Sequence, residues 1–196
     1  YWWLMYLIAI EFFAVLFFVV GSYVARVYFY FKKRHDAKLT DELIQLLRAN
    51  KPVPALYANH VEILLAVFKQ LDTEHLPDWQ HVKSKTLQEL VIPKIKHWAK
   101  RHNWQKRYLL TLCLEQAYTP EDEAILLLLI QDKSAIISFN AMQVASKQNK
   151  AELLKAILFR LQQEPHPFHV IAIRDFGNSN QWQEVIANEL NETADP

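Results

Sequence analysis

The chain has 196 residues, 52% of them hydrophobic, with 22 Lys and Arg against 21 Asp and Glu, a length that allows one folded domain and an anchor. Its two glycines, Gly21 and Gly177, argue against Gly-rich phosphate loops, tight β-hairpins and nucleotide folds built on G-x-G patterns, and its single cysteine, Cys113, excludes an intrachain disulfide framework and a multi-Cys zinc site. The near-neutral total hides a polarity: residues 32–107 carry fifteen Lys and Arg against eight Asp and Glu, and residues 108–196 carry six against twelve.

Residues 1–31 hold two formal charges, Glu11 and Arg26. Trp2 to Ala25 is long enough as a helix, about 36 Å, to cross a hydrocarbon core of about 30 Å with some tilt. Aromatic residues flank the span, with Tyr1, Trp2, Trp3 and Tyr6 at one end and Tyr23, Tyr28 and Tyr30 at the other. Rings with an apolar body and a polar tip favour the membrane interface. Arg26, Lys32, Lys33 and Arg34 follow the span, and no Lys or Arg precedes it. The positive-inside rule then places the N-terminus outside and the remainder in the cytoplasm, at a plasma membrane or bacterial inner membrane. A cleaved signal peptide would carry its basic residues at the other end and a shorter apolar core. A buried helix of a soluble assembly is the other rival. Glu11, about ten residues into the span, is expensive to ionise there and is read as a polar contact with another transmembrane helix, or as a side chain nearer an interface.

A basic juxtamembrane linker is expected over residues 32–39, followed by an all-helical domain over 40–196. Thr40 or Asp41 can cap a short helix carrying Leu43, Leu46 and Leu47, which Pro52 and Pro54 break. Val61, Leu64, Leu65, Phe68 and Leu71 form the stripe of the next helix. Residues 73–78 make a loop. Val82, Leu87, Leu90 and Val91 mark another helix, which Pro93 kinks or ends, with Ile95, Trp98 and Ala99 continuing beyond. Further helices are predicted near 104–117, 120–131, 134–147, 150–163, 167–177 and 181–193. Thr119 to Glu123 supplies a cap, an N1 proline and first-turn acids. The unbroken apolar run Ile125 to Ile130 predicts a helix buried on several sides. Leu154, Ile157, Leu158 and Leu161 give the helix over 150–163 one apolar stripe. Trp182, Val185, Ile186 and Leu190 do the same for the last helix, whose other face is polar, as in a terminal repeat.

Second helices of successive pairs begin near Pro120, Ala151 and Gln181. Ile125, Ala156 and Ile186 fall in register, as do Leu129, Arg160 and Leu190 with one polar departure. A period near thirty residues built from helix pairs signals an α-solenoid. Three stretches resemble the HEAT-repeat family in its short bacterial form. They are Asp132 to Ala145 with the helix Glu152 to Leu161; Glu164 to Gly177, where Phe168, Ala172, Phe176 and Gly177 take the family's aromatic, small, apolar and glycine positions; and, more weakly, Trp104 to Ala117. The family's frequent Arg in the first helix of each pair is missing, and the glycine that ends that helix survives once, at Gly177. The resemblance implies an α-α superhelix, clearest over 104–193, and says little about activity.

The most conspicuous feature of the domain is a basic and aromatic run. Lys94, Lys96, Lys100, Arg101, Lys106 and Arg107 alternate with Trp98 and Trp104, beside His97 and His102, and no acid occurs between Glu89 and Glu115. It fits anionic headgroups, an acidic protein, or nucleic acid through phosphates and stacking. The plain alternative is a solvated helix face whose tryptophans point into the core. A membrane tether disfavours nucleic acid. The histidine spacings suit no metal site, no Ser, Cys or His spacing suggests a nucleophile with its base, and neither a cofactor nor an enzymatic activity is expected. Cys113 reads as a small core residue. The sequence therefore predicts a membrane-tethered protein-interaction scaffold, or an accessory subunit of a membrane complex, with the lipid bilayer and another protein as partners. The alternative is an enzyme, or a binder of nucleic acid or another anionic ligand, on a HEAT-like scaffold.

Overall fold

A computed structural model describes residues 1–74, 76–148, 150–163 and 166–167. Among the described residues the protein is all-helical, without a strand. It divides into two compact units, Tyr1–Val53 and Pro54–Pro196. The helices expected over 167–177 and 181–193, with Phe168, Ala172, Phe176, Gly177, Ile186 and Leu190, lie outside the described residues.

The first unit is dominated by helix α1, Trp2–Arg48, of 47 residues. At 1.5 Å per residue it is about 70 Å long, more than twice a bilayer's hydrocarbon core. This differs from the expectation of an anchor, a linker and a newly capped helix, because residues 32–39 simply continue the helix. Nothing from Lys32 to Asp41 breaks it, since the stretch contains neither Gly nor Pro. Thr40 does not cap; its hydroxyl donates to the Asp36 carbonyl at 2.8 Å, one turn back in the same helix. Lys38 and Glu42 add an exposed pair one turn apart, 3.7 Å between charges. Burial is confined to the C-terminal end, at Leu39, Leu43, Ile44 and Leu47. The helix stops in a Schellman motif. Asn50 takes φ 51°, the Lys51 N–H reaches the Leu46 carbonyl at 2.9 Å, and the Asn50 N–H reaches Leu47 at 3.1 Å. Pro52 and Pro54 prevent any resumption.

The second unit begins with a short 3-10 turn, Ala55–Asn59, and α2, Val61–Leu71. The buried stripe of α2 is Val61, Leu64, Val67, Phe68 and Leu71, so Val67 takes the place expected of Leu65. Helix α3, Trp79–Thr86, starts after Asp78, which adopts φ 52°. The Phe68 and Trp79 rings meet edge to face at 5.4 Å. Asp72 ties the intervening turn down, accepting from Trp79 Nε1 at 2.7 Å and from Lys83 Nζ at 2.8 Å. Burial works to raise the Asp72 carboxyl, but the hydrogen bonds from Lys83 and Trp79, and the Lys83 charge, outweigh it and hold it below 3.8. A carboxyl lowered in the folded state contributes stability that is full above its unfolded value and lost as pH falls through the folded one. The stability difference between the parent chain and Asp72→Asn should therefore shrink as pH falls below 3.8. Urea midpoints measured down an acid series check this, and a constant difference refutes it.

Pro93 shapes the next segment. It offers no N–H, and its ring collides with the carbonyl four residues back, that of Glu89. The chain meets this with a π-helical turn, Leu87–Val91, before α4, Ile92–Ile95, and a 3-10 turn, Lys96–Lys100. Helix α5, Trp104–Ala117, follows, with the Asn103 Oδ1 accepting from the Gln105 and Lys106 N–H groups at 2.9 and 3.4 Å. A 3-10 turn, Pro120–Asp122, opens α6, Glu123–Ile130. There the Thr119 N–H and hydroxyl both donate to Asp122 Oδ2, at 3.2 and 2.8 Å. Helices α7, Ala135–Ser146, and α8, Ala151–Gln163, complete the described chain.

Helix α5 packs against α7 and against the π-α4 segment, while α6 packs against both α7 and α8. Leu110, Cys113, Leu114, Leu126, Leu129, Ile137, Ala141, Met142, Leu153 and Ile157 supply the core, with almost no exposed surface. Ala141 and Ala145 of α7 are fully buried in this core. The buried Ser138 hydroxyl donates to the Ile130 carbonyl at 2.6 Å, satisfying an end group of α6. The apolar run of α6 is not covered all round: Leu128 is 49% exposed. Six consecutive apolar residues span more than a full turn, and its neighbours α7 and α8 cover only part of that circumference.

Candidate functional site

The basic and aromatic run lies on three short pieces of backbone. Lys94 sits in α4, Lys96, Trp98 and Lys100 in the following 3-10 turn, Arg101 just beyond it, and Trp104, Lys106 and Arg107 in the first turn of α5. Lys94, Lys96, Lys100, Arg101, Trp104 and Lys106 are exposed, as are His97 and His102, and Trp104 shows 54% of its surface. Trp104 therefore does not point into the core. Trp98 is half-buried, with the Lys106 ammonium 5.4 Å above its ring, a cation-π contact that draws the 3-10 turn onto α5.

Arg107 behaves differently from its neighbours. Its Nε donates to Asp132 Oδ2 at 2.5 Å and its Nη2 to Asp132 Oδ1 at 3.2 Å, and the two side chains are 14% and 6% exposed. Its Nη1 donates to the carbonyls of Arg101 and His102 at 2.6 and 2.9 Å. The guanidinium thus fastens the loop before α5 to the start of α7, where Asp132 Oδ1 also accepts the Ser134 N–H at 2.8 Å. Arg160, the polar departure from the repeat register, is buried and donates through Nη2 to the Asp132 carbonyl at 3.1 Å.

A cleft of about 620 Å³ opens between the π-α4 segment and the start of α6. Ile92, Pro93, Pro120 and Ile125 supply its apolar wall, with Lys96 and Glu121 as its charged groups. Asp122 also faces it but is engaged by Thr119. The lining includes no Ser, Cys or His. Sequence reasoning missed this cleft. Its only signals are Pro93 and the Thr119-Pro120 cap, and these stand too far apart along the chain to be connected without the fold.

Among the described residues no three His, Cys, Asp or Glu side chains stand together as a metal site. Cys113 is fully buried, and burial pushes its thiol up to about 12. In the native chain a maleimide should leave Cys113 unmodified at neutral pH and react only after denaturant is added. Mass spectrometry reads the adduct, and rapid native labelling would refute the burial.

Glu11 lies on the exposed surface of α1, within the stretch Trp2–Phe31 whose large apolar residues are nearly all exposed. This one N-terminal helix is long and apolar enough to cross a membrane, or to act as a signal sequence. No protein-family model matches the chain, and no curated protein or solved structure shows significant similarity to it.

Proposed function

We propose that the protein is a membrane-tethered interaction module, in which α1 is a single-pass anchor and the helical unit recruits a protein partner, as a scaffold or as an accessory subunit of a membrane complex. The observation that carries this reading is the naked apolar surface of α1. No residue from Trp2 to Phe31 is buried, whereas the core helix of a soluble protein would be covered. Hydrocarbon is the solvent such a surface matches. The cations after the span, Arg26, Lys32, Lys33 and Arg34, orient the helical unit toward the cytoplasm by the positive-inside rule, at a plasma or bacterial inner membrane. Glu11 is the polar contact such an anchor would offer a partner helix.

The helical unit is read as a HEAT-like α-solenoid. The support is that α5 lies against α7 and α6 against α8, first helix on first and second on second, as stacked helix pairs require. Such stacks offer long surfaces to extended or folded partners. The full chain, extracted in mild detergent, should co-purify with a specific membrane complex. Emergence alone, together with no crosslinked partner in intact membranes, would sink the proposal.

The cleft favours a second reading, a binder of a small amphipathic or anionic ligand, or an enzyme, on the same scaffold. Its lining suits binding better than nucleophilic chemistry. A Gln88→Ala and Glu121→Ala pair that leaves every membrane partner in place but abolishes a ligand-induced rise in melting temperature would favour that reading.

A further inference from the structure

We infer that the surface formed by Lys96, Lys100, Arg101, Trp104 and Lys106 docks on anionic phospholipid headgroups, which deepens the tethered-module reading and rests on it. Three observations on this surface converge. All four cations are exposed, and none is held by a carboxylate among the described residues. The surface is built rather than loose, because Arg107 grips the carbonyls of Arg101 and His102 from beneath and Lys106 packs over Trp98. Trp104, in the same first turn of α5 as Lys106, is 54% exposed and beside Tyr108, with a ring of the kind that settles at the headgroup level.

These features favour a membrane over the other anionic partners. A single-stranded nucleic acid needs successive bare aromatic faces, and here the Trp98 ring carries Lys106 and meets His97 at its edge, while Trp104 leans against Tyr108. Protein hot spots centre on Trp, Tyr or Arg seated in a well-packed pocket, and of these five residues only Lys96 lines the cleft described above. A headgroup layer asks only for delocalised positive charge and an interfacial ring. Tethering also keeps that layer at high effective concentration. Each Lys or Arg at the surface is worth about a five-fold shift in the docked-to-undocked ratio.

The test uses the full chain with Gln105→Cys, an exposed position beside the patch, carrying an environment-sensitive fluorophore; Cys113, being buried, stays unlabelled. The chain is placed in lipid nanodiscs of phosphatidylcholine alone or with phosphatidylserine. The expected result is a blue-shifted, brighter label only with phosphatidylserine. It should be lost in high salt and lost in the variant Lys96→Gln, Lys100→Gln, Arg101→Gln, Lys106→Gln, whose circular dichroism reports its folding. Polyglutamate and a single-stranded oligonucleotide are added separately to the phosphatidylcholine discs. A response to either of these with none to phosphatidylserine overturns the proposal in favour of that partner. A chain that enters both discs with identical emission overturns the headgroup proposal alone. A chain that stays outside both overturns the tether, and the headgroup proposal with it.

Discussion

Asp132→Ala is expected to lower the stability of the helical unit by about 3–5 kcal/mol, the usual cost of removing one partner of a buried ion pair. Domains are stable by only about 5–15 kcal/mol, so this is a large fraction of the total. The size follows from burial. The Asp132 side chain is 6% exposed and that of Arg107 14%, so the guanidinium left behind cannot be rehydrated freely. The same substitution also removes the acceptor for the Ser134 N–H ahead of α7. Urea unfolding of the detergent-solubilised chain, followed by near-ultraviolet circular dichroism, measures the loss. Replacing both residues together, Arg107→Met with Asp132→Leu, should recover much of it, because an apolar pair of similar volume carries no desolvation penalty. A loss under about 1 kcal/mol for the single variant would mean that the pair behaves as a solvent-screened surface contact. Arg107→Met should also speed amide exchange at His102 and Asn103, whose loop it fastens.

The second large effect lies in α1. Phe13→Lys together with Leu16→Lys places two ammonium groups near the centre of the apolar span, at about 3 kcal/mol each. Both positions are exposed on the helix surface, so no packing is disturbed. The expected result is transfer of the chain from a carbonate-resistant membrane fraction to the supernatant or to aggregates. Retention of the doubly substituted chain in the carbonate-resistant pellet would show that α1 is not what holds the protein at the membrane. Glu11→Gln is the informative companion. It removes a carboxyl that is costly in hydrocarbon, so integration should persist, and any loss of co-purifying partner would locate a helix–helix contact at this residue.

Much of the architecture was legible before any coordinates. The apolar span follows from composition alone, because hydrocarbon sorts residues by solubility and needs no tertiary context. The helices expected near 104–117, 134–147 and 150–163 appear as α5, α7 and α8 within about a residue at each end, and most of the stripe expected of α2 is buried, because periodicity of 3.6 is a local property of the chain. The burial of Cys113 follows from its apolar neighbours. Thr40 misled because a capping residue caps only when the backbone before it leaves the helix, and nothing between Lys32 and Asp41 obliges it to. The π-helical detour before Pro93 was invisible because proline announces an interruption without specifying how the chain resolves it.

What tertiary structure alone decided was the division of labour among similar residues. Arg107 stands in one basic run with Lys106, yet it turns inward because Asp132, twenty-five positions away, lies within reach. Leu128 stands in an unbroken apolar run with Leu129, yet it faces outward because α7 and α8 cover only part of α6. Arg160 looked like a flaw in a repeat and proved to be a buried partner of the Asp132 carbonyl. The all-helical class and the one long apolar N-terminal helix could be read from the chain alone, since these depend on backbone chemistry and solvent. Which charge is buried, which leucine is bare and where a cleft opens depend on distances between segments remote in the chain, and only packing sets those.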